Sequence, residues 1–288
     1  MRKNKAELKR DQIKEFRQYL YERENARATI RKYITDIRTF FDYLAGKLTV
    51  DKQKLLDYKE WLLRRYAVSS ANSMLAALNQ FLEFLELDFL KVKRIKVQKS
   101  LFLQEEKELT REEYRKLVQT ALAEGKEQLA LCMETIASTG IRISELEFFT
   151  VESIRRDYIE IVNKGKYRRI FLPKVLRQKL LFFARKNGIR RGAIFITRTG
   201  KKKCRSNIWR EMKALKEKAG INGNKIFPHN LRHLFARTYY SITKDLAGLG
   251  DLLGHSSLNV TRIYTSNTGK IYQKQLDLLG DIQIKMTT

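Results

Sequence analysis

The chain contains three histidines, and two of them flank an arginine in the segment PHNLRH, which begins at Pro228. Proline is common at the first position of a helix, and spacings of three and four residues place His229, Arg232 and His233 on one helical face. Two histidines four residues apart can bind zinc. Here an arginine shares their face and no glutamate separates them, so a fixed cation opposes a metal ion. We expect no metal at this position.

The segment STGIRISEL, residues 138–146, places a second arginine beside a helix break. We expect Gly140 to end one helix and Ser144 or a neighbour to begin another, with Arg142 between them. An arginine fork is the best planar partner for a phosphate, and Glu145 can fix its direction. An arginine at a helix break is also commonly an ordinary surface residue. This segment alone therefore leaves both interpretations open.

The third histidine, His255, lies in LLGHSS, residues 252–257, and Tyr264 follows it by nine residues. One tyrosine among the thirteen of the chain would ordinarily be a packing residue. Together with the arginines and histidines, however, it completes a set that can bind a phosphate, exchange protons and supply a nucleophile. The three segments are far apart in sequence, so the fold has to bring them together.

The composition indicates a polyanionic partner. The 288 residues carry a net charge of +27, of which residues 1–100, with 23 Lys and Arg and 13 Asp and Glu, contribute +10. A protein that is basic along its whole length repels itself unless a polyanion such as DNA or RNA neutralises it. An anionic membrane is the less favoured alternative, because no run approaches the roughly 18 apolar residues of a membrane span and no lipidation motif occurs.

Length and residue usage further limit the class of protein. The length suggests two domains, and 43% apolar residues suffice for buried cores. The basic start of the chain lacks the apolar core of a signal peptide, so we expect a cytoplasmic protein. Cys132 and Cys204 have no CxxC or Cys/His spacing, which favours two free thiols in a reducing compartment.

Helical periodicity predicts that residues 1–90 form an all-α domain of about four helices. Apolar residues recur three and four apart, and the stripe of the second helix contains Tyr33, Ile37, Phe40, Phe41 and Leu44. We expect aromatic residues at this spacing to be core. Thr29 is the expected N-cap of the second helix, and Ser69 or Ser70 that of the fourth.

Residues 91–106 are predicted to form a basic linker. The stretch KVKRIKVQK, residues 91–99, has alternating charges and no helical stripe. It is either a solvated connector or a strap along DNA phosphates. We favour the strap because it joins two cationic domains. In that case the DNA contacts come from Lys91, Lys93, Arg94 and Lys96.

Residues 107–288 are predicted to form a second domain, mainly α with one small β-sheet. Thr110 and Glu113 have the spacing of a capping box at the start of a helix, and another helix covers residues 128–138. Alternation over residues 158–162 and 168–172, around the turn NKGK, predicts a β-hairpin. Five further helices are expected over residues 175–184, 207–219, 228–240, 244–253 and 260–265.

Four motifs occur in one order: TGIRISEL, the NKGK turn after a strand, HNLRH, and LGHSS with a tyrosine nine residues after its histidine. Each motif is weak alone, but the ordered set resembles the tyrosine site-specific recombinase (phage integrase) family, which contains lambda-type integrases, the Xer proteins and Cre. The resemblance covers nearly the whole chain. It implies a two-domain C-shaped clamp around duplex DNA, with a SAM-like helical N-terminal domain and a catalytic domain that is mainly α with a small β-sheet.

The resemblance also implies a role for individual residues. Its catalytic set consists of Arg142, Lys164, His229, Arg232, His255 and the nucleophile Tyr264. Glu145 and His233 are expected to support this set. The assignment of the lysine is open, because the family usually has glycine before it whereas this chain has Asn163, and Lys166 is a neighbouring alternative.

This set suits attack on a phosphodiester. Two arginine forks stabilise charge on the non-bridging oxygens without a metal, and we expect neither metal nor cofactor. The tyrosine, with a pKa near ~10, must lose its proton to a histidine, and we expect cationic surroundings to favour the phenolate. Lys164 can protonate the 5′-oxygen that leaves. By resemblance, the product is a 3′-phosphotyrosyl link that stores the bond energy for rejoining.

We therefore predict a site-specific DNA recombinase or integrase. The family implies double-stranded DNA with inverted-repeat core sites as substrate and a homo-tetramer on two such sites. We expect the tail of about residues 270–288 to form an apolar helix that docks on a neighbouring protomer, with packing on its own domain as the alternative. The alternatives are a type IB topoisomerase-like enzyme that relaxes DNA and a non-catalytic DNA-binding protein of the same fold. Between a mobile-element integrase and a resolvase of chromosome dimers, the high charge favours the former.

Overall fold

The computed structural model describes residues 5–96, 105–163, 166–255 and 257–264. The chain divides into two units, Met1–Lys99 and Ser100–Thr288. Helices predominate in both, and each unit contains one two-stranded antiparallel sheet. The predicted fold class, mainly α with a small β-sheet in the second domain, is confirmed. No helix within the described ranges is long and apolar enough to cross a membrane.

Four helices pack around an aromatic core in the N-terminal unit. They are α1 (Gln12–Glu22), α2 (Arg27–Leu44), α3 (Lys52–Arg65) and α4 (Val68–Phe84). Phe16, Phe40, Phe41, Tyr58 and Phe81 are each at most 1% exposed. Phe16 meets Phe81 edge to face, with 5.2 Å between ring centroids, a geometry that the ring quadrupoles favour. The aromatic stripes are core, as predicted.

Local details of this unit differ from the prediction. It is not all-α, because strand β1 (Lys5–Glu7) pairs antiparallel with β2 (Thr49–Asp51), and three-residue strands are too short to show an alternating pattern. The predicted caps are also wrong. Helix α2 begins after Ala26 and α4 after Ala67, neither with a side-chain cap, so Thr29, Ser69 and Ser70 lie within the helices.

An asparagine clamp fixes the stretch after α4, and we use this name for Asn72 and Asn79. The Asn79 amide donates to the carbonyl of Val92 at 2.8 Å and accepts from its N–H at 2.9 Å. Asn72 makes the same pair of bonds to Ile95, at 2.9 and 2.7 Å. Val92 is 2% exposed and belongs to the N-terminal core. Residues 91–96 are therefore part of this unit and not a solvated connector, and the predicted linker starts too early.

The second unit contains eight labelled helices and a hairpin in its described part. The helices are α5 (Arg111–Ala123), α6 (Glu127–Thr139), α7 (Lys174–Lys186), α8 (Arg205–Lys213), α9 (Lys216–Ala219), α10 (Pro228–Thr243), α11 (Leu246–Leu253) and α12 (Leu258–Thr261). Strands β3 (Tyr158–Asn163) and β4 (Lys166–Phe171) pair antiparallel, as predicted. The single helix expected over 207–219 is broken into α8 and α9, and the last predicted helix ends as a 3-10 turn, Arg262–Tyr264.

Two local signals in this unit act as predicted. Thr110 caps α5 in a capping box with Glu113, and this satisfies two backbone N–H groups that the helix leaves free. Gly140 ends α6 in the left-handed conformation at φ +65°. A Cβ there would lie 2.7 Å from Phe235 Cε1 and 2.9 Å from Leu253 Cδ2. Gly140 thus joins α6, α10 and α11, and the chain turns there towards Arg142.

Candidate active site

Helix α10 carries three of the predicted site residues near its N-terminus, where Pro228 occupies the first turn. Arg232 is 1% exposed. Its Nη1 donates to the carbonyl of Gly140 at 2.6 Å, and its Nη2 donates to the carbonyl of Leu253 at 2.8 Å. A buried guanidinium is costly unless it is hydrogen-bonded. Arg232 therefore joins the ends of α6 and α11 to α10, and brings three distant motifs together.

Two further interactions anchor α10 to the chain entering the unit. The amide of Asn230 donates to the carbonyls of Lys107 at 2.9 Å and Lys225 at 2.8 Å. Arg237 forms an ion pair with Glu108 and donates to the carbonyl of Leu109 at 2.8 Å. This anchoring of α10 was not predicted from the sequence, where its only signal is an asparagine within a helical motif. These contacts fix the helix that holds His229, Arg232 and His233.

Arg142 lies at the site surface, with its side chain 44% exposed. The carboxylate of Glu145, which is 2% exposed, accepts from Arg142 Nη1 at 3.2 Å and from the backbone N–H of Arg142 at 2.7 Å. The same carboxylate pairs with Arg168 of β4. Glu145 thus fixes the direction of Arg142, as expected. Arg168 is a site residue that was not predicted, although it lies two residues before the buried Ile170 and so shares the inward face of the strand.

The ring of His255 has both nitrogens occupied. Nε2 lies 3.1 Å from Arg232 Nη2, and Nδ1 lies 2.8 Å from the hydroxyl of Thr261, which is fully buried. Because arginine can only donate, Nε2 accepts and the proton of the neutral ring is on Nδ1. Burial, together with Arg232 and Arg142, lowers the pKa of His255 to about 4. His255 is therefore neutral at pH 7.

Tyr264 packs against the histidines and is 6% exposed. Its ring stacks on His255 with 6.4 Å between centroids and an 11° interplanar angle, and it contacts His233 at 5.3 Å. Burial raises the pKa of Tyr264, although Arg232, Arg237 and Arg142 act to lower it. The cationic surroundings therefore act as expected, towards the phenolate, but the loss of hydration outweighs them and the net shift is towards the neutral phenol.

The other two histidines are also shifted towards the neutral form. His229 and His233 pack edge to face, with 4.5 Å between centroids. Burial, His229 and Arg232 lower the pKa of His233 to about 4. Burial and the two arginines Arg232 and Arg142 also lower the pKa of His229, which is the exposed member of the pair. His229 contacts His233, which in turn contacts Tyr264, and an exposed neutral imidazole is able to accept a proton.

The predicted residues differ in what the structure reveals about them. Arg142, Glu145, His229, Arg232, His233, His255 and Tyr264 form one cluster. Lys164 lies outside the described residues, and so does the tail 270–288. Lys166 is described only as the backbone end of β4. No group of three metal-binding side chains occurs among the residues that the structure describes.

The four cations predicted to bind DNA are not equivalent. Lys91 pairs with Glu83 at 2.8 Å and also with Asp88, so its charge is largely neutralised. This pairing argues against Lys91 as a phosphate ligand. Lys93, Arg94 and Lys96 are exposed.

Comparisons with known proteins agree with the division of the chain into two units. Residues 107–270 match the model of the phage integrase family, and residues 13–87 match that of the phage integrase N-terminal SAM-like domain. Tyrosine recombinase XerA of Pyrococcus furiosus is 28% identical over 272 residues, which cover 91% of this chain and 92% of that protein. Tyrosine recombinase XerD of Vibrio cholerae is 26% identical over 268 residues, 85% of this chain and 87% of that protein.

Solved structures show the same fold. A lambda integrase dimer bound to a COC′ core site matches 92% of this chain and 97% of that chain, with a TM-score of 0.74 and 18% identity. A XerH site-specific recombinase bound to its difH substrate matches 96% of this chain and 84% of that chain, with a TM-score of 0.67 and 19% identity.

Proposed function

The chain belongs to the phage integrase family and is a tyrosine site-specific recombinase acting on DNA, and from this premise we propose that Tyr264 is its nucleophile. The observation that carries the assignment is the contact of the Tyr264 ring with His233 and His255, together with the electrostatic interaction between Tyr264 and the buried Arg232. A tyrosine that only packs in the core does not require histidine and arginine neighbours. The family match and the relatives favour this function over the topoisomerase and passive DNA-binding alternatives.

In the proposed reaction, Tyr264 attacks the scissile phosphorus and displaces the 5′-oxygen, which leaves a 3′-phosphotyrosyl bond. Arg142 and Arg232 stabilise the charge that develops on the non-bridging oxygens. Arg142 is half-exposed and already directed by Glu145, so it can meet the phosphate first. Arg232 is 1% exposed, so the phosphate reaches it only once the side chains that cover it move.

Two proton transfers complete this scheme. Both nitrogens of His255 are occupied, by Arg232 and Thr261, whereas His229 is neutral and exposed. This supports His229 as the acceptor of the tyrosine proton. The leaving 5′-oxygen needs a proton in return. By family resemblance Lys164 supplies it, and Lys166 is the alternative.

We also propose the finer assignments of domains, substrate and assembly. Residues 1–96 form the core-binding domain, which ends with the clamped stretch, and residues 107–288 form the catalytic domain, with Lys93, Arg94 and Lys96 contacting phosphates. The substrate is duplex DNA with inverted-repeat core sites, and four protomers assemble on two sites. A lambda integrase tetramer bound to a Holliday junction supports this stoichiometry. A cytoplasmic location follows from a DNA substrate, and the high net charge favours a mobile-element role over chromosome dimer resolution.

The test of the nucleophile needs a cognate site. An inverted repeat in the DNA flanking the gene can supply this site. It can also be selected from a pool of duplexes with randomised half-sites, by recovering the covalent adducts that resist SDS. We expect Tyr264→Phe to bind this DNA with unchanged affinity and to form no adduct on a denaturing gel, because only the nucleophilic oxygen is lost. An adduct that persists in Tyr264→Phe assigns the nucleophile to another tyrosine.

The two arginines are tested on the same DNA. We expect Arg142→Ala and Arg232→Ala to lower the single-turnover cleavage rate by about 100-fold or more, as loss of an oxyanion donor does, with a much smaller effect on affinity. Tyr239→Phe is the matched control for the tyrosine, since this residue lies on the same helix as Arg232 and packs against the same apolar cluster as Tyr264. Cleavage within tenfold of wild type by either arginine variant contradicts its assignment.

A further inference from the structure

We propose that Arg168 is a positioning residue that neutralises Glu145 and so leaves the positive charge of Arg142 available to the scissile phosphate. The inference rests on the catalytic role proposed above for Arg142. It concerns a buried ion pair between β4 and the motif after α6 that no part of the proposed reaction uses.

The arrangement of charges carries the proposal. Glu145 Oε1 faces Arg142 Nη1 at 3.2 Å, whereas Glu145 Oε2 is shared by the backbone N–H of Arg142 and Arg168 Nη2. Glu145 is 2% exposed and the Arg168 side chain 12% exposed, so water screens neither charge well. The three side chains together carry +1. Without Arg168, Glu145 and Arg142 would cancel, and a substrate phosphate would meet a neutral pair.

Arg168 also contacts the segment that leads to His255. Its Nη1 donates to the carbonyl of Leu252 at 3.2 Å. Its Cδ lies so close to Gly254 that a Cβ there would be 2.7 Å away, and Gly254 has a φ of +62° that also favours glycine. One side chain on the hairpin therefore touches both the Arg142 motif and the histidine loop. This explains why a charged residue occupies an inward position of β4.

The experiment measures single-turnover cleavage and DNA affinity for a charge series. We expect Arg168→Met to lower the cleavage rate by about 100-fold, the scale for small misplacements of reacting groups, with little change in affinity. The double variant Arg168→Met, Glu145→Gln restores the net charge of +1. We expect it to cleave DNA at least about tenfold faster than Arg168→Met, which corresponds to about 1.4 kcal/mol of transition-state stabilisation. Arg169→Met, which removes an exposed cation from the same strand, is the matched control.

A second substrate separates charge from general disruption. A methylphosphonate at the scissile position lacks one charged oxygen and depends less on Arg142, so the defect of Arg168→Met should shrink on it. A defect of equal size on both substrates, or a double variant no faster than the single one, overturns the proposal. If Arg168→Met does not fold, Arg168→Lys tests the same prediction, since it keeps the charge and should retain most cleavage.

The experiments distinguish failure of the role proposed for Arg142 from failure of the role proposed for Arg168. If Arg142→Ala cleaves like wild type, the proposed role of Arg142 is wrong. If Arg142→Ala is inactive and Arg168→Met matches Arg169→Met, only the role of Arg168 is wrong.

Discussion

Replacement of Gly140 by alanine tests the junction on which the site is built. Gly140 ends α6, and its carbonyl accepts the Arg232 hydrogen bond at 2.6 Å. At φ +65°, an L-residue costs about 1–2 kcal/mol. The new methyl would also lie 2.7 Å from Phe235 and 2.9 Å from Leu253, and overpacking of this kind costs about 1–3 kcal/mol. We expect Gly140→Ala to lower the free energy of unfolding by about 2–5 kcal/mol.

The same unit offers a matched control. Gly188 follows α7 with φ +67°, and nothing lies within 4 Å of a Cβ placed there. Gly188→Ala should therefore cost only the backbone term, about 1–2 kcal/mol. The difference between the two variants measures the contact with Phe235 and Leu253 alone.

Urea unfolding followed by tryptophan fluorescence is the assay. The chain has two tryptophans, and Trp61→Phe leaves Trp209 of α8 as the reporter of the second unit. We expect Gly140→Ala also to slow DNA cleavage, since it moves an acceptor of Arg232, whereas Gly188→Ala should not. Equal losses of stability in the two variants would refute the packing argument.

Two other predictions concern protons. Lys164→Ala should block cleavage of an ordinary phosphodiester and be rescued by a 5′-bridging phosphorothiolate, whose thiolate leaves without a proton, while Lys166→Ala should do little. The reverse pattern transfers the acid role to Lys166. The pKa of His233 and of His255 is about 4, against ~6.5 in the unfolded chain, so the unfolded state binds more protons between these values. Stability is therefore full above pH ~6.5 and is lost as the pH falls towards 4, by at most about 1.4 kcal/mol per unit for each histidine. His233→Gln should flatten this slope in urea titrations at pH 4.5 to 7, and parallel curves for the two proteins contradict the assignment.

Short-range signals in the sequence were sufficient for much of the fold. The capping box of Thr110, the turn at Gly140 and the alternation of β3 and β4 depend on neighbours within a few residues. Thr29 is not the N-cap of α2, because a good capping residue does not by itself fix where a helix starts. Ile30 and Ile34 are buried, and the first turn of the helix begins before Thr29. The helix then begins at Arg27, after Ala26, which supplies no side-chain cap.

The sequence predicts which residues belong to the site, but not how their side chains interact. The ordered motifs identify Arg142, Arg232 and Tyr264, yet nothing local pairs Glu145 with Arg168, 23 residues along the chain. The direction of the tyrosine pKa shift was equally hidden, because it depends on how deeply the ring of Tyr264 is buried relative to the nearby charges. Both effects arise from tertiary packing.

The asparagine clamp sets the length of the chain segment from Val92 to Ile95, which follows α4. Asn72 and Asn79 are two helical turns apart, about 10.5 Å, and an extended chain spans about 10 Å between Val92 and Ile95. The clamp binds backbone atoms and reads no side chain of the clamped stretch. The length of the stretch is thereby fixed, while the exposed positions Lys93 and Arg94 stay free to vary. In a library of variants over this stretch, we expect folded protein when Lys93 and Arg94 are exchanged, but not after an insertion or deletion. Relatives can therefore change their cations here without altering the path of the chain.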